Sequence, residues 1–138
     1  MEKSMFQFTN PILKRLQFDV HDSFSKKGRL EMGINVTVNC ERNKNDDNTL
    51  ANSALVMVTV SIGEKDNTTP FYIEADEEAT FKWRDGVYSE EQLETLLNHN
   101  AVVLLLSYLR PIISNITASS PFPAYNLPYI DLTAREEH

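Results

Sequence analysis

Three histidines, one cysteine and a scatter of carboxylates are the groups in this chain that could do covalent or acid–base chemistry. None is spaced for it. His21, His99 and His138 stand apart from one another and from any serine or cysteine in a nucleophile motif. No H-E-x-x-H, C-x-x-C or G-x-S-x-G occurs, and the four glycines build no phosphate cradle. General-base work needs an oriented partner within hydrogen-bond reach, so no catalytic residue is assigned and no enzyme is expected. His99 follows Asn98 in a helical stretch and reads as a core or interface histidine. Cys40 alternates with apolar residues and reads as a small buried hydrophobe. Alone it permits no internal disulfide, and a zinc site wants several ligands. No metal and no cofactor are expected. What remains to carry function is binding.

The element that must position a binding surface is a long apolar helix starting near Ser89. Ser89 is a plausible N-cap, with Gln92 at capping-box spacing and Glu90 and Glu91 in the first turn, where the helix dipole favours negative charge. Leu93, Leu97, Ala101, Leu104, Tyr108, Ile112 and Ile116 recur at helical spacing and can share one face. From Ala101 to Leu109 the helix is apolar on every side except Ser107, so it must be covered all round. A membrane span would need about 20 apolar residues, more than this central run provides. A larger core would need a second strong helix, which the sequence lacks. The third reading is a helix held between its own sheet and a partner subunit. Pro111 removes one backbone hydrogen bond and predicts a kink.

Length bounds the rest. At 138 residues the chain reads as one domain over 1–138, with the 41% apolar and 24% charged residues of an ordinary soluble protein. A net charge of −7 argues against a nucleic-acid surface, which needs clustered Lys and Arg. The N-terminus has no apolar leader-like run, and the expected compartment is the cytoplasm, without membrane insertion.

Before the helix the chain reads as strands. Phe6 to Phe8 is extended and broken at Pro11. Leu16, Phe18 and Val20 alternate with polar residues. Leu30, Met32, Ile34, Val36, Val38 and Cys40 alternate without a slip, the mark of a sheet with one buried and one wet face. Residues 41–49 read as a polar loop and Gly63 to Thr69 as a hairpin turn. Ala54, Val56, Val58, Val60 and Ile62 form one inner face, and Phe71, Ile73, Ala75, Phe81 and Trp83 another. Glu77 falls on the inner parity, so a bulge is expected near Glu77–Glu78. Short connections predict a four-stranded antiparallel meander with the helix on one face, an α+β layer. The opposite face collects Asp19, Glu31, Glu41, Glu74, Asp76 and Glu78. It is either a solvated face or an acidic plate that docks a basic partner.

The segment from Tyr108-Leu-Arg110 through Ile113 to Phe122-Pro123-x-x-Asn126-Leu127 resembles the export chaperone family SecB. There a Y-x-R on the long helix is followed at this distance by F-P-x-x-N-L. Ser61-Ile62-Gly63-Glu64, then Phe71, Glu74 and Phe81, fall into the family's strand pattern, and the likeness covers nearly the whole chain. The resemblance implies a four-stranded sheet with a packed long helix, assembled as a dimer or dimer of dimers through sheets and helices. Oligomer contacts would then come from Val102, Val103, Leu106, Leu109 and Ile113. It implies ATP-independent binding of unfolded or extended polypeptides in apolar grooves. Here Phe122, Tyr125, Leu127, Tyr129 and Ile130 would line such a groove, with Pro121, Pro123 and Pro128 holding the segment extended. It also implies SecA as a candidate hand-off partner, docked through Asp19, Tyr72 and Glu74.

The departures narrow what carries over. Ala118-Ser-Ser-Pro121 lacks the family's turn glycine. Arg15 falls where the family has an acid. After Asp131-Leu132 a second helix looks short or absent. Two function classes follow: a client-binding chaperone, or an adaptor on the same fold dedicated to one protein partner, such as a toxin–antitoxin pair.

Overall fold

The structure, a computed structural model, describes residues 6–25 and 30–130. Five antiparallel strand segments, β1 (Phe6–Phe8), β2 (Ile12–Val20), β3 (Ile34–Lys44), β4 (Leu50–Gly63) and β5 (Phe71–Trp83), form one sheet. A helical run follows: α1 (Glu90–Thr95), a π-turn (Leu96–Asn100) and α2 (Ala101–Ala118). The α+β architecture with the helix on one sheet face is the expected one.

The strand order is not a plain meander. β3, β4 and β5 pair in sequence, but β1 and β2 both lie along the far side of β5. Phe6 faces Trp83 and Val20 faces Phe71, so the two segments follow β5 end to end. Pro11 makes the break between them, as its missing N–H requires. The chain stays in place because Thr9 donates its N–H to the Thr80 oxygen at 2.9 Å and takes the Thr80 N–H on its hydroxyl at 3.0 Å. The expected pairing of the first long strand with β3 is therefore corrected. Inner-face aromatics explain the choice: Phe6 stacks on Phe81 and Phe18 packs on Phe71, a burial that β3 does not offer.

Two local expectations also change. β3 begins at Ile34, after the Leu30 and Met32 expected to open it, and continues to Lys44, so only Asn45 to Thr49 turns, with Asn48 in the left-handed region. β5 runs past Glu77 and Glu78 in unbroken register with β4; the irregularity sits opposite, in β2 between Leu13 and Arg15. Gly63 is needed where it stands: φ is +84° and a Cβ would lie 2.2 Å from the Phe71 carbonyl oxygen.

Ser89 caps α1 as the sequence suggests. Its hydroxyl accepts the Gln92 N–H while the Gln92 side chain accepts the Ser89 N–H. The buried helix face then departs from the simple stripe. It consists of Leu93, Leu97, Ala101, Val102, Leu105, Leu106, Leu109, Ile113 and Thr117. The π-turn inserts one extra residue per turn, so everything after it moves by one position. Leu104, Ile112 and Ile116 become partly buried flanks and Tyr108 is exposed. α2 runs through Pro111 to Ala118 without a break in the helix.

The 29-residue run Glu90–Ala118, with a hydropathy of 1.5, is long and apolar enough to cross a bilayer, longer than its central apolar stretch suggested. A sheet-packed core helix meets the same test, and Val102, Leu105, Leu109 and Ile113 are fully buried here against the sheet. β4 and β5 supply the other half of that core through Val56, Val58, Val60, Ile62, Phe71, Ile73 and Phe81.

Candidate functional site

At the end of α2 the chain leaves the helix through Ser119 and Ser120 and turns extended. Hydroxyl groups set this exit. The Ser120 hydroxyl donates to the Thr117 carbonyl at 2.6 Å and accepts the Phe122 N–H at 3.1 Å. The Thr117 side-chain oxygen takes the Tyr125 N–H at 2.7 Å while its hydroxyl donates to the Ile113 carbonyl at 2.8 Å. One serine and a buried threonine therefore hold the turn where the expected glycine is absent.

The exit segment closes one wall of a cleft of about 380 Å³. Phe122, Pro123, Ala124 and Tyr125 face Phe24, Leu30 and Met32 across it, with Pro70 and Phe71 below. Edge-on aromatic contacts fix the walls: Phe24 to Phe122 at 5.9 Å and Phe71 to Tyr125 at 6.0 Å between ring centroids. Burial pushes the Tyr125 phenol above its ordinary pKa. The lining is aromatic and aliphatic, suited to apolar side chains and indifferent to their order.

The five segment residues separate. Phe122 and Tyr125 line the cleft. Leu127 is only 5% exposed and belongs to the core. Ile130 is half-buried against that core, and Tyr129 is 80% exposed, the most open large hydrophobic described. Phe24, Leu30 and Met32 line the cleft without being expected there. Leu30 and Met32 carried a signal, since they continue the alternation of β3 upstream of it. Asp131 and Leu132, where a second helix looked short or absent, lie outside the described residues.

The helix residues expected between subunits also separate. Val102, Leu106, Leu109 and Ile113 are buried by the chain's own sheet, while Val103 is 48% exposed. The apolar surface left on α2 is Val103 and Tyr108, flanked by Leu104 and Ile112.

The outer sheet face is not a bare acidic plate. Arg15 sits at its centre, its guanidinium against Glu74 and its Nε donating to Asp76 at 3.2 Å. Tyr72 donates to Glu74 at 2.7 Å, Thr59 to Asp76 at 2.7 Å, and Gln17 to Asp19 at 2.8 Å. Lys14 lies 3.5 Å from Glu78, and Lys65 stands over the Tyr72 ring. Asp19, Tyr72 and Glu74 do share this face, since Asp19 pairs with Tyr72 and Gln17 with Glu74. One of the two charges of Glu74 and Asp76 is offset from within by Arg15.

The remaining titratable groups do not assemble a reactive centre. His21 is buried, with Nδ1 2.8 Å from the Thr69 carbonyl, so that nitrogen carries the donated proton. Cys40 is half-buried and its thiol pKa is raised by burial, which makes it a poor nucleophile. Glu77 is 2% exposed and burial raises its pKa; its Oε1 has no hydrogen-bond partner. Among the described residues no group of three or more His, Cys, Asp or Glu could hold a metal ion.

The family model for preprotein translocase subunit SecB matches residues 2–135. An uncharacterized protein of Methanocaldococcus jannaschii is 24% identical over 132 residues, 94% of this chain and 81% of that one. Among solved structures, the Mycobacterium tuberculosis SecB-like chaperone Rv1957, in complex with a ChAD peptide from the HigA1 antitoxin, is similar with a TM-score of 0.65. The identity is 16%, and 91% of each chain is covered. A protein of unknown function from Streptococcus agalactiae is similar at a TM-score of 0.51 and 13% identity, over 90% of this chain and 97% of that one. At these identities the structural likeness establishes the fold.

Proposed function

The chain belongs to the SecB family, and from that premise we propose that it is an ATP-independent, chaperone-like protein that binds unfolded or extended polypeptide segments. The observation that carries this reading is the aromatic cleft between the helix exit and the start of β3. Its walls are held by backbone-to-hydroxyl bonds and edge-on rings, so the apolar surface stays open. Binding by apolar burial is non-directional and tolerates many sequences. A similar chaperone holding an antitoxin peptide supports extended segments as the ligand class.

A second copy of the chain is the proposed cover for α2. The surface it would use is Val103, Leu104, Tyr108 and Ile112, in place of the residues the sheet already buries. A dimer or dimer of dimers fits that outward half of the helix, with Leu104, Tyr108 and Ile112 along one side and Val103 on the other, in the cytoplasm if the chain serves protein export.

The adaptor reading keeps one observation in its favour. Arg15 pairs with both Glu74 and Asp76 and offsets one of their two charges on the face through which a basic SecA segment would dock, which favours client binding without SecA hand-off. The test is suppression of aggregation of an unrelated unfolded protein, with solution mass measured in parallel. Suppression by an oligomer at near-stoichiometric ratio is expected. A chain that protects no unrelated client but binds one partner tightly is the adaptor; a chain that binds neither overturns the reading.

A further inference from the structure

We infer that α1 is a latched flap: a short helix that opens from the end of the sheet about the π-turn and is held closed by the ion pair between Arg42 and Glu90. This goes beyond the proposed function and does not rest on it. The client cleft lies at the Phe71 end of β5, while α1 lies at the Trp83 end, where Arg42 covers the Trp83 ring and bonds to Glu90.

The residues of α1 hold it weakly. It has six of them, whereas isolated helices need about 12–15 to be even marginally stable in water. Leu93 is its one buried residue, and the other five are exposed. Glu90, Glu91 and Glu94 repel one another at helical spacing, and no basic residue lies among them. Clefts undercut the helix on both sides, one of about 510 Å³ toward Cys40 and Leu97, the other of about 400 Å³ beside Tyr88 and Leu96. α2, by contrast, is anchored by the fully buried Val102, Leu105, Leu109 and Ile113. The segment also has a pivot at each end. Before α1, Gly86 holds φ at +76° in the turn that leaves β5. After it, the π-turn interrupts the regular ladder, with the Ala101 N–H reaching back to the Leu96 carbonyl. Such bulges are where helices bend.

The latch is built on the sheet. Arg42 projects from β3 with its guanidinium carbon 5.0 Å from the centre of the Trp83 ring, and its Nη1 donates to Glu90 Oε2 at 3.1 Å. Its side chain is 21% exposed, against 76% for Glu90. Among the described residues its buried Nε has no hydrogen-bond partner, so the ring and Glu90 orient the guanidinium. When α1 opens, Arg42 keeps its place on Trp83 and can take Glu90 back. A pair with one partner this exposed contributes little and is screened by salt. The flap therefore opens more readily as ionic strength rises. Opening draws Leu93 out of the core and bares Leu97, which the closed helix keeps buried.

The test is amide hydrogen exchange on the intact protein, read residue by residue. In the wild type the amides of Glu94, Thr95 and Leu96 should be protected at least about tenfold less than those of Leu105 and Leu109. Arg42→Gln and Glu90→Gln should each speed exchange in α1 by a further factor of about two to five, the size expected of one exposed ion pair. Glu91→Gln, in the same turn but not paired with Arg42, should not speed it. Raising the salt concentration should speed α1 exchange in the wild type and not in Arg42→Gln. Equal protection of α1 and α2 in the wild type would show one rigid helix and overturn the flap. A flap whose exchange neither Arg42→Gln nor Glu90→Gln speeds, or that Glu91→Gln speeds equally, overturns the latch.

Discussion

The Tyr125 N–H meets the Thr117 side-chain oxygen at 2.7 Å, eight residues back along the chain, and so fastens the extended exit to the last turn of the helix. Thr117 is fully buried, so the bond has no water to replace it. Removing the acceptor leaves a buried donor unsatisfied, at a cost of about 1–3 kcal/mol. Thr117→Val should lower stability by about that amount in chemical unfolding and weaken client binding, because the Tyr125 wall loses its anchor. Unchanged values of both would show that the cleft is held by its aromatic contacts alone.

The exit residues should divide by role. Leu127→Ala empties a core position and should cost about 2–5 kcal/mol of stability. Tyr129→Ala removes an exposed ring and should leave stability within about 0.5 kcal/mol. Phe122→Ala and Tyr125→Ala should each weaken binding of an unfolded client by about tenfold, since burying one such side chain contributes roughly 1.5–3 kcal/mol. Thermal midpoint and client affinity on the same four variants check the division; full affinity in a destabilised Tyr125→Ala would mean that the aromatics only close the core.

Val103 and Leu106 are three residues apart but face different partners, one open and one 4% exposed. Leu106→Asp buries an unpaired charge and should prevent folding. Val103→Asp should fold, with native circular dichroism, and sediment at a lower mass than the wild type. An unchanged mass for Val103→Asp would place the subunit interface elsewhere.

Arg15 decides the character of the outer face. Arg15→Glu sets a third carboxylate beside Glu74 and Asp76 and should lower stability at low salt, with part of the loss regained at high salt as repulsion is screened. The same variant should bind a basic peptide that the wild type does not hold. Binding of that peptide by the wild type with equal strength would show that the internal ion pairs do not close the plate.

Glu77 gives the pH prediction. Burial raises its folded pKa above the value in the unfolded chain. Between those two values the folded state binds more protons, so stability falls as pH rises through the folded pKa, and the penalty is fully present above it. Glu77→Gln should therefore be more stable than the wild type at neutral pH, with the difference shrinking as the medium is acidified toward about pH 4. Thermal midpoints across that range check it; a constant difference would assign the effect to packing.

Local signals set much of this fold. The period-2 alternation of Ile34 to Cys40 and of Ala54 to Ile62 fixed two strands and their inner faces, because side chains on a strand alternate regardless of what it pairs with. Ser89 and Gln92 fixed the helix start, since a capping box is satisfied within four residues. The helix-to-tail motif pointed to the exit segment as a whole, of which Phe122 and Tyr125 line a cleft.

Longer-range packing decided the rest. Nothing near β2 says that it lies on β5; the packing of Phe18 on Phe71 selects that partner from across the chain. The bulge expected at Glu77 arises instead on its neighbour, because β5 is held on both sides and the edge strand is freer to bend. The stripe Leu104, Tyr108, Ile112 and Ile116 looked like the core because a straight helix was assumed; poor helix formers at Asn98, His99 and Asn100 were the one local hint of the π-turn that rotates it outward. Arg15 is one basic letter in a strand until β2 pairs with β5 and brings it against Glu74 and Asp76. Sequence determined which elements form and which faces are apolar, because those depend on neighbours a few residues away. Tertiary structure decided which apolar residues face the sheet and which remain open, because that depends on how distant strands and one extra helical residue share a single core.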